Sequence, residues 1–251
     1  MRESSKWKIC IIGVIGSALI LTGCSPSAQP LLMQGSQPGV LQPNGLQMIQ
    51  KAVRLGMSEN MYKIKSDLTT VQGSLHTDFF VYGSIDTPNL ASLNIHENNF
   101  NISFYQQGLS AYTFDNGRWS RTKAFPNIDV YPSYSKLLQL EQNQSIPVYE
   151  EKDQYVVDEY CKVYRMIIPG KHVTQLSVLN TGTEFPAISN VQYTFFIGET
   201  SGQLREIQTS SVGDMSGVGA VQVNSDVILF DIGKKAAKVQ IPSNLVKTLE
   251  G

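Results

Sequence analysis

Three histidines, three cysteines and a scatter of carboxylates are the residues with which this chain could do chemistry, and their spacing decides which chemistry. His76, His96 and His172 fall in no HxxxH or HExxH arrangement, the spacing that puts two metal ligands on one helix face. His76-x-Asp78 would share one face of a strand, but that face is the polar one, where a solvated pair is the simpler reading. Gly213-Asp214-Met215-Ser216-Gly217 lacks the G-x-S-x-G spacing of a nucleophile elbow. Gly217-Val218-Gly219 lacks the third glycine of a dinucleotide loop. Glu150, Glu151, Asp153, Asp158 and Glu159 flank a turn, as the acids of a solvated hairpin do. Cys161 sits in a strand and reads as an inert packing residue rather than a reactive thiol. No catalytic residue, metal site or cofactor is expected, and the chain reads as a non-enzyme.

Cys24 is different, because of what precedes it. Arg2, Lys6 and Lys8 make a basic start, diluted by Glu3. Ile9 to Leu21 is an apolar run of 13 residues broken only by Gly13, Gly16 and Ser17. A membrane-spanning helix needs ~20 residues, so the run has the length of a signal-peptide core. Leu21-Thr22-Gly23-Cys24 closes it and resembles the lipobox of bacterial lipoproteins. In that class the cysteine sulfur takes a diacylglycerol and the leader is cut just before it. The resemblance implies a lipidated Cys24, a cell-membrane location on the extracytoplasmic face, and the membrane itself as a partner.

The mature chain is then mildly acidic. Of 20 basic and 21 acidic residues the leader removes three and one, leaving 17 against 20, about −3. No basic patch stands out, which argues against nucleic acid. With Cys10 in the leader and Cys24 acylated, only Cys161 remains, and one cysteine makes no internal disulfide. The domain must be held by its core, for which ~200 residues is ample.

Residues 25–44 carry no charge and are mostly Ser, Pro, Gln and Gly. Such a segment buries too little to order itself, and as a coil it would span roughly 25 Å. It reads as a tether, so three parts follow: a signal peptide over 1–23, the lipidated cysteine and tether over 24–44, and a single domain over 45–251. Asn44 is the expected helix cap, with Leu46, Ile49, Val53 and Met57 at helical spacing behind it.

From Tyr62 the period becomes two. Tyr62, Ile64 and Leu68 alternate with Lys63, Lys65 and Asp67, and similar runs centre on Phe79, Leu93 and Ile102. Tyr112 and Phe114 lead into Asp115-Asn116-Gly117, whose Asn-Gly favours a tight hairpin before Trp119. One apolar and one polar face is the pattern of an antiparallel sheet covered on one side. A short helix is expected around Tyr134, Leu137, Leu138 and Glu141. Strands are expected at Pro147–Glu151 and Tyr155–Ile168 around a charged turn, the second covered on both faces. A further helix is expected over Val173, Leu176 and Leu179. Then come Val191–Ile197, a turn at 199–203, Leu204–Val212 and Val221–Ile232, ending at Ile241-Pro242.

This order, with Ala111-Tyr112-x-x-Asp115-Asn116-Gly117-Arg118-Trp119, resembles the LolA/LppX-type envelope lipoproteins. The resemblance implies an α+β, mostly β fold: a curved antiparallel half-barrel whose concave face is covered by small helices over an apolar cavity. It implies binding of a lipid or other hydrophobic small molecule and no catalysis. Phe79, Phe100, Phe104, Tyr112, Phe114, Trp119, Tyr193, Phe195 and Phe230 are the pocket candidates, all expected on the inward face, with Ala111 on the opposite one. The competing reading is a lipoprotein with a fully packed core that binds, or senses through, another envelope protein.

Overall fold

The computed structural model describes residues 39–97, 100–125, 128–142, 146–169, 187–215, 219–233 and 238–250. In chain order these form β1 (Val40–Leu41), α1 (Gly45–Met57), β2 (Met61–Gln72), β3 (Leu75–Asp86), β4 (Leu90–Glu97), β5 (Phe100–Gln107), β6 (Ser110–Asp115) and β7 (Arg118–Thr122). There follow α2 (Tyr131–Gln142), β8 (Val148–Val156), β9 (Glu159–Pro169), β10 (Ala187–Gly198), β11 (Leu204–Met215), β12 (Gly219–Phe230) and α3 (Ser243–Glu250).

The strands make one antiparallel sheet in the order β1-β8-β9-β10-β11-β12-β2-β3-β4-β5-β6-β7. Two meanders, β2–β7 and β8–β12, are thus joined side by side through β12 and β2, with Phe230 opposite Lys63 and Val221 opposite Gln72. Since β7 ends at one edge and β8 resumes near the other, the connection must cross a face of the sheet. That crossing carries Ile128, Val130 and α2, and all of them join the main core.

The alternation in β2 is strict: every even residue from Tyr62 to Gln72 is buried and every odd one is partly exposed. The register carries the same face across Val81, Ile85, Leu93 and Ile95 on one side and Val227, Leu229, Tyr193 and Phe195 on the other. Helix α1 lays Ile49, Ala52 and Val53 on that face. Gly56 lets it approach Tyr131, whose ring atom Cδ1 would lie 2.6 Å from any added Cβ. Asn116 and Gly117 have φ of 49° and 81°, as the Asn-Gly hairpin requires.

Four features differ from the reading of the sequence. Sheet pairing occurs before Asn44, where Val40 and Leu41 pair with Glu150 and Tyr149 at the sheet edge. Asn44 precedes α1, but its side chain makes no capping bond. The hairpin in the middle turns at Val157-Asp158, and the charged stretch between Glu151 and Gln154 is a bulge within β8. After Ile241-Pro242 the chain forms α3, whose Leu245 is buried against Tyr105 and Trp119. The helix expected over Val173–Leu179 lies outside the described residues.

Candidate functional site

The concave face is the candidate site, and it is built from side chains of both meanders. Phe104 meets Phe125 with ring centroids 5.0 Å apart, Tyr193 stacks on Phe195 at 6.1 Å, and Tyr134 of α2 meets Phe195 edge-on at 6.2 Å. The crossing segment is pinned over this surface by polar bonds. Gln106 Nε2 donates to the Phe125 carbonyl at 2.9 Å, and the Phe125 N–H donates back to Gln106 Oε1 at 2.8 Å. Tyr62 Oη donates to Asp129 Oδ1 at 2.9 Å and accepts from the Val130 N–H at 3.0 Å. Burial pushes the Asp129 carboxyl above its ordinary range, against the hydrogen bonds from Tyr62 and the Tyr131 N–H.

Away from α1 the same face turns partly polar. Ser66, Thr70 and Gln72 are buried on it, interleaved with Leu68, and Phe79 and Ile102 pack there while keeping part of their surface open. Ser66 lies between Val81 and Val227, and its Oγ is buried with no hydrogen-bond partner among the described residues. Buried hydroxyls are rarely left unmatched. The alternation of β2 had already put this residue on the apolar face, a signal available in the sequence.

Of the nine aromatic candidates the register brings five to the concave face: Phe79, Phe104, Tyr193 and Phe195 within it, and Phe100 at its rim, 56% exposed. Tyr112, Phe114, Trp119 and Phe230 are on the other face. Phe104 pairs with Thr113, so Tyr112 and Phe114 point away from it, and Phe114 is opposite Trp119. These three cluster with Tyr105 under α3, the outer cover that the sequence reading lacked. Phe230 stands opposite Lys63 and packs on Tyr82. Ala111, expected opposite the pocket, is instead fully buried in the main core.

His76 and Asp78 form an exposed outward pair at 3.2 Å, and His96 Nδ1 lies 2.6 Å from Asn101 Oδ1. His172, Ser216 and Gly217 lie outside the described residues. Cys161 is fully buried with Val163 and Phe196, and burial pushes its thiol up to about 12. The hairpin acids are paired rather than simply solvated. Lys162 reaches Asp153 at 2.7 Å, and Arg205, itself almost fully buried, binds Glu159 and reaches Asp158 at 3.4 Å. Burial raises Glu159, but hydrogen bonds from Ser201 and Arg205 outweigh it and hold the carboxyl below its ordinary value.

One constellation had no signature in the sequence. On the outer face a polar depression of about 260 Å³ is lined by Asp67, Thr194, Gln208, Asn224 and Asp226 among others. Glu206 is only 7% exposed beside it. Burial first, and then the neighbouring Asp226, push the Glu206 carboxyl up to about 7. Asp226 is raised as well, chiefly by burial, while its hydrogen bond with Glu206 opposes the rise.

The architecture defines a class: an open antiparallel half-barrel with small helices on its concave face. A crystal structure of LprF from Mycobacterium bovis is similar, with a TM-score of 0.50 and 13% identity over 82% of this chain and 99% of that one. The lipoprotein LppX of Mycobacterium tuberculosis matches at a TM-score of 0.49 and 14% identity, over 79% and 100% of the two chains. No known family matches the sequence, and no curated protein does. The likeness to LprF shows the fold alone, an open antiparallel half-barrel.

Proposed function

We propose that this chain is a non-enzymatic extracytoplasmic lipoprotein, held at the membrane through lipid on Cys24, that binds a lipid or other hydrophobic molecule on the concave face. The observation that carries the reading is that face: apolar and aromatic, covered among the described residues by two short helices and the crossing segment, with the Ser66 hydroxyl buried and unmatched. An acyl chain would satisfy the apolar part and a polar head the hydroxyl. At ~0.8 kcal/mol per methylene, about ten buried methylenes give micromolar affinity before ordering costs.

Native mass spectrometry of the purified chain, with uptake of an apolar fluorescent probe, tests the ligand. Co-purified acyl chains, or uptake that falls when Phe104 or Phe195 is replaced by a smaller apolar residue, are expected. A folded chain with neither would leave the packed-core interaction module, which the complete burial of Tyr62, Tyr131 and Phe195 favours. The anchor is tested separately: Cys24→Ala should abolish lipid labelling and leave the precursor uncut.

A further inference from the structure

The polarity of β1 fixes the direction in which the chain leaves the sheet. Val40 pairs with Glu150 and Leu41 with Tyr149, antiparallel, so at Gly39 the described chain points along β8 toward its C-terminal end. That end is the Val157-Asp158 turn into β9. From Glu150 to the turn is about 24 Å of strand at ~3.4 Å per residue. Residues 25–38 separate Cys24 from Gly39, and a segment of that length reaches at most ~50 Å fully extended. A segment of that length is long enough for an anchor on Cys24 to let the Val157 turn reach the bilayer. The β2–β3 turn lies at the opposite end of the sheet, away from the direction of exit.

The turn itself is unlike a solvated hairpin. Val157 has φ of 58°, a conformation that suits Gly or Asn and strains a β-branched residue. Tyr155 and Tyr160 stand opposite each other with rings 5.2 Å apart, edge to face. All three are open to solvent, at 61%, 48% and 62% for Tyr155, Val157 and Tyr160. Helix α1 ends on the same side, where exposed Leu55 lies beside the Gly202 turn and Met57 follows it. Lys162 is shared by Glu150, Asp153 and Glu199 and Arg205 by Asp158 and Glu159, so the carboxylates around the hairpin are paired but the set stays net acidic. Tyrosine with a neighbouring aliphatic residue and no net basic charge suits the lipid–water interface of a bilayer, without dependence on anionic lipid.

We infer that the β8–β9 turn, through Tyr155, Val157 and Tyr160, seats on the interface of the bilayer that carries the Cys24 anchor. The inference rests on the lipid anchor proposed above. The test uses the full chain, processed at Cys24 and reconstituted in phosphatidylcholine vesicles. An environment-sensitive NBD fluorophore is attached in Val157→Cys or, at the opposite end of the sheet, in Ser74→Cys; buried Cys161 does not compete. Emission from position 157 should shift to the blue and be quenched by doxyl-labelled lipid, while position 74 stays water-like. Adding anionic lipid should change neither. The Tyr155→Ser/Tyr160→Ser double variant, with its circular dichroism unchanged, should lose the shift. Water-like emission at 157 on an acylated chain, or equal quenching at both positions, overturns the docking alone. A blue shift that doxyl lipid does not quench marks a protein contact and overturns the bilayer as occupant. An N-terminal peptide whose mass shows no acyl group overturns the anchor, and the docking with it.

Discussion

Replacing Glu206 with glutamine should make the protein more stable at pH 8, although it alters a buried hydrogen-bonding group. Glu206 is raised from 4.5 to about 7 by burial and by Asp226, so in the folded chain it holds a proton that the unfolded chain has already lost. A carboxyl raised in this way contributes its full stability below ~4.5 and loses it as pH climbs through ~7. The interval is worth at most ~3 kcal/mol. Water in the adjoining depression screens the pair, and about half that figure, ~1.5 kcal/mol, is the expected effect. Asp226 is raised too and acts in the same direction. Glutamine keeps the shape and donates to Asp226 at every pH. Urea denaturation at pH 4 and pH 8 should therefore show this group lowering wild-type stability by ~1–2 kcal/mol. Glu206→Gln should match the wild type at pH 4 and exceed it at pH 8. Equal pH slopes for the two proteins would refute a raised Glu206.

Gly56→Ala should cost ~1–2 kcal/mol, since overpacking against Tyr131 outweighs the ~1 kcal/mol that alanine returns to the helix, and chemical denaturation reads the difference. Tyr62→Phe leaves the buried Val130 N–H without its acceptor and Asp129 with the Tyr131 N–H but no hydroxyl donor, and should lower stability by ~1–3 kcal/mol in the same assay. Cys161, buried and raised to about 12, should resist iodoacetamide at pH 8 in the folded chain and react on unfolding, as followed by peptide mass. Phe114→Ser, on the outer face, should leave uptake of an apolar probe intact where Phe104→Ala reduces it.

Alternation in the sequence was enough to show a long antiparallel sheet with one apolar face, because period two is a property of the strand itself. Tyr62, Ile64 and Leu68, and Ala91, Leu93 and Ile95, all point inward as their spacing required. Asn116-Gly117 located its hairpin for an equally local reason, the positive φ at both positions. What alternation cannot supply is which face of a two-sided strand is concave. In β5 and β6 both parities are apolar, since Phe104 and Ala111 serve the main core while Tyr105, Tyr112 and Phe114 serve a second cluster under α3. The register that sets Phe104 beside Leu93 and Thr113, and the docking of Leu245 more than a hundred residues away in sequence, assign the two sets. The same holds for Glu206 and Asp226: each looks like an ordinary polar residue of a strand until the β11–β12 register brings their carboxyls together. Local spacing determined the elements; contacts between distant elements decided the faces, the raised Glu206 carboxyl and the strand edge on which Val40 and Leu41 pair.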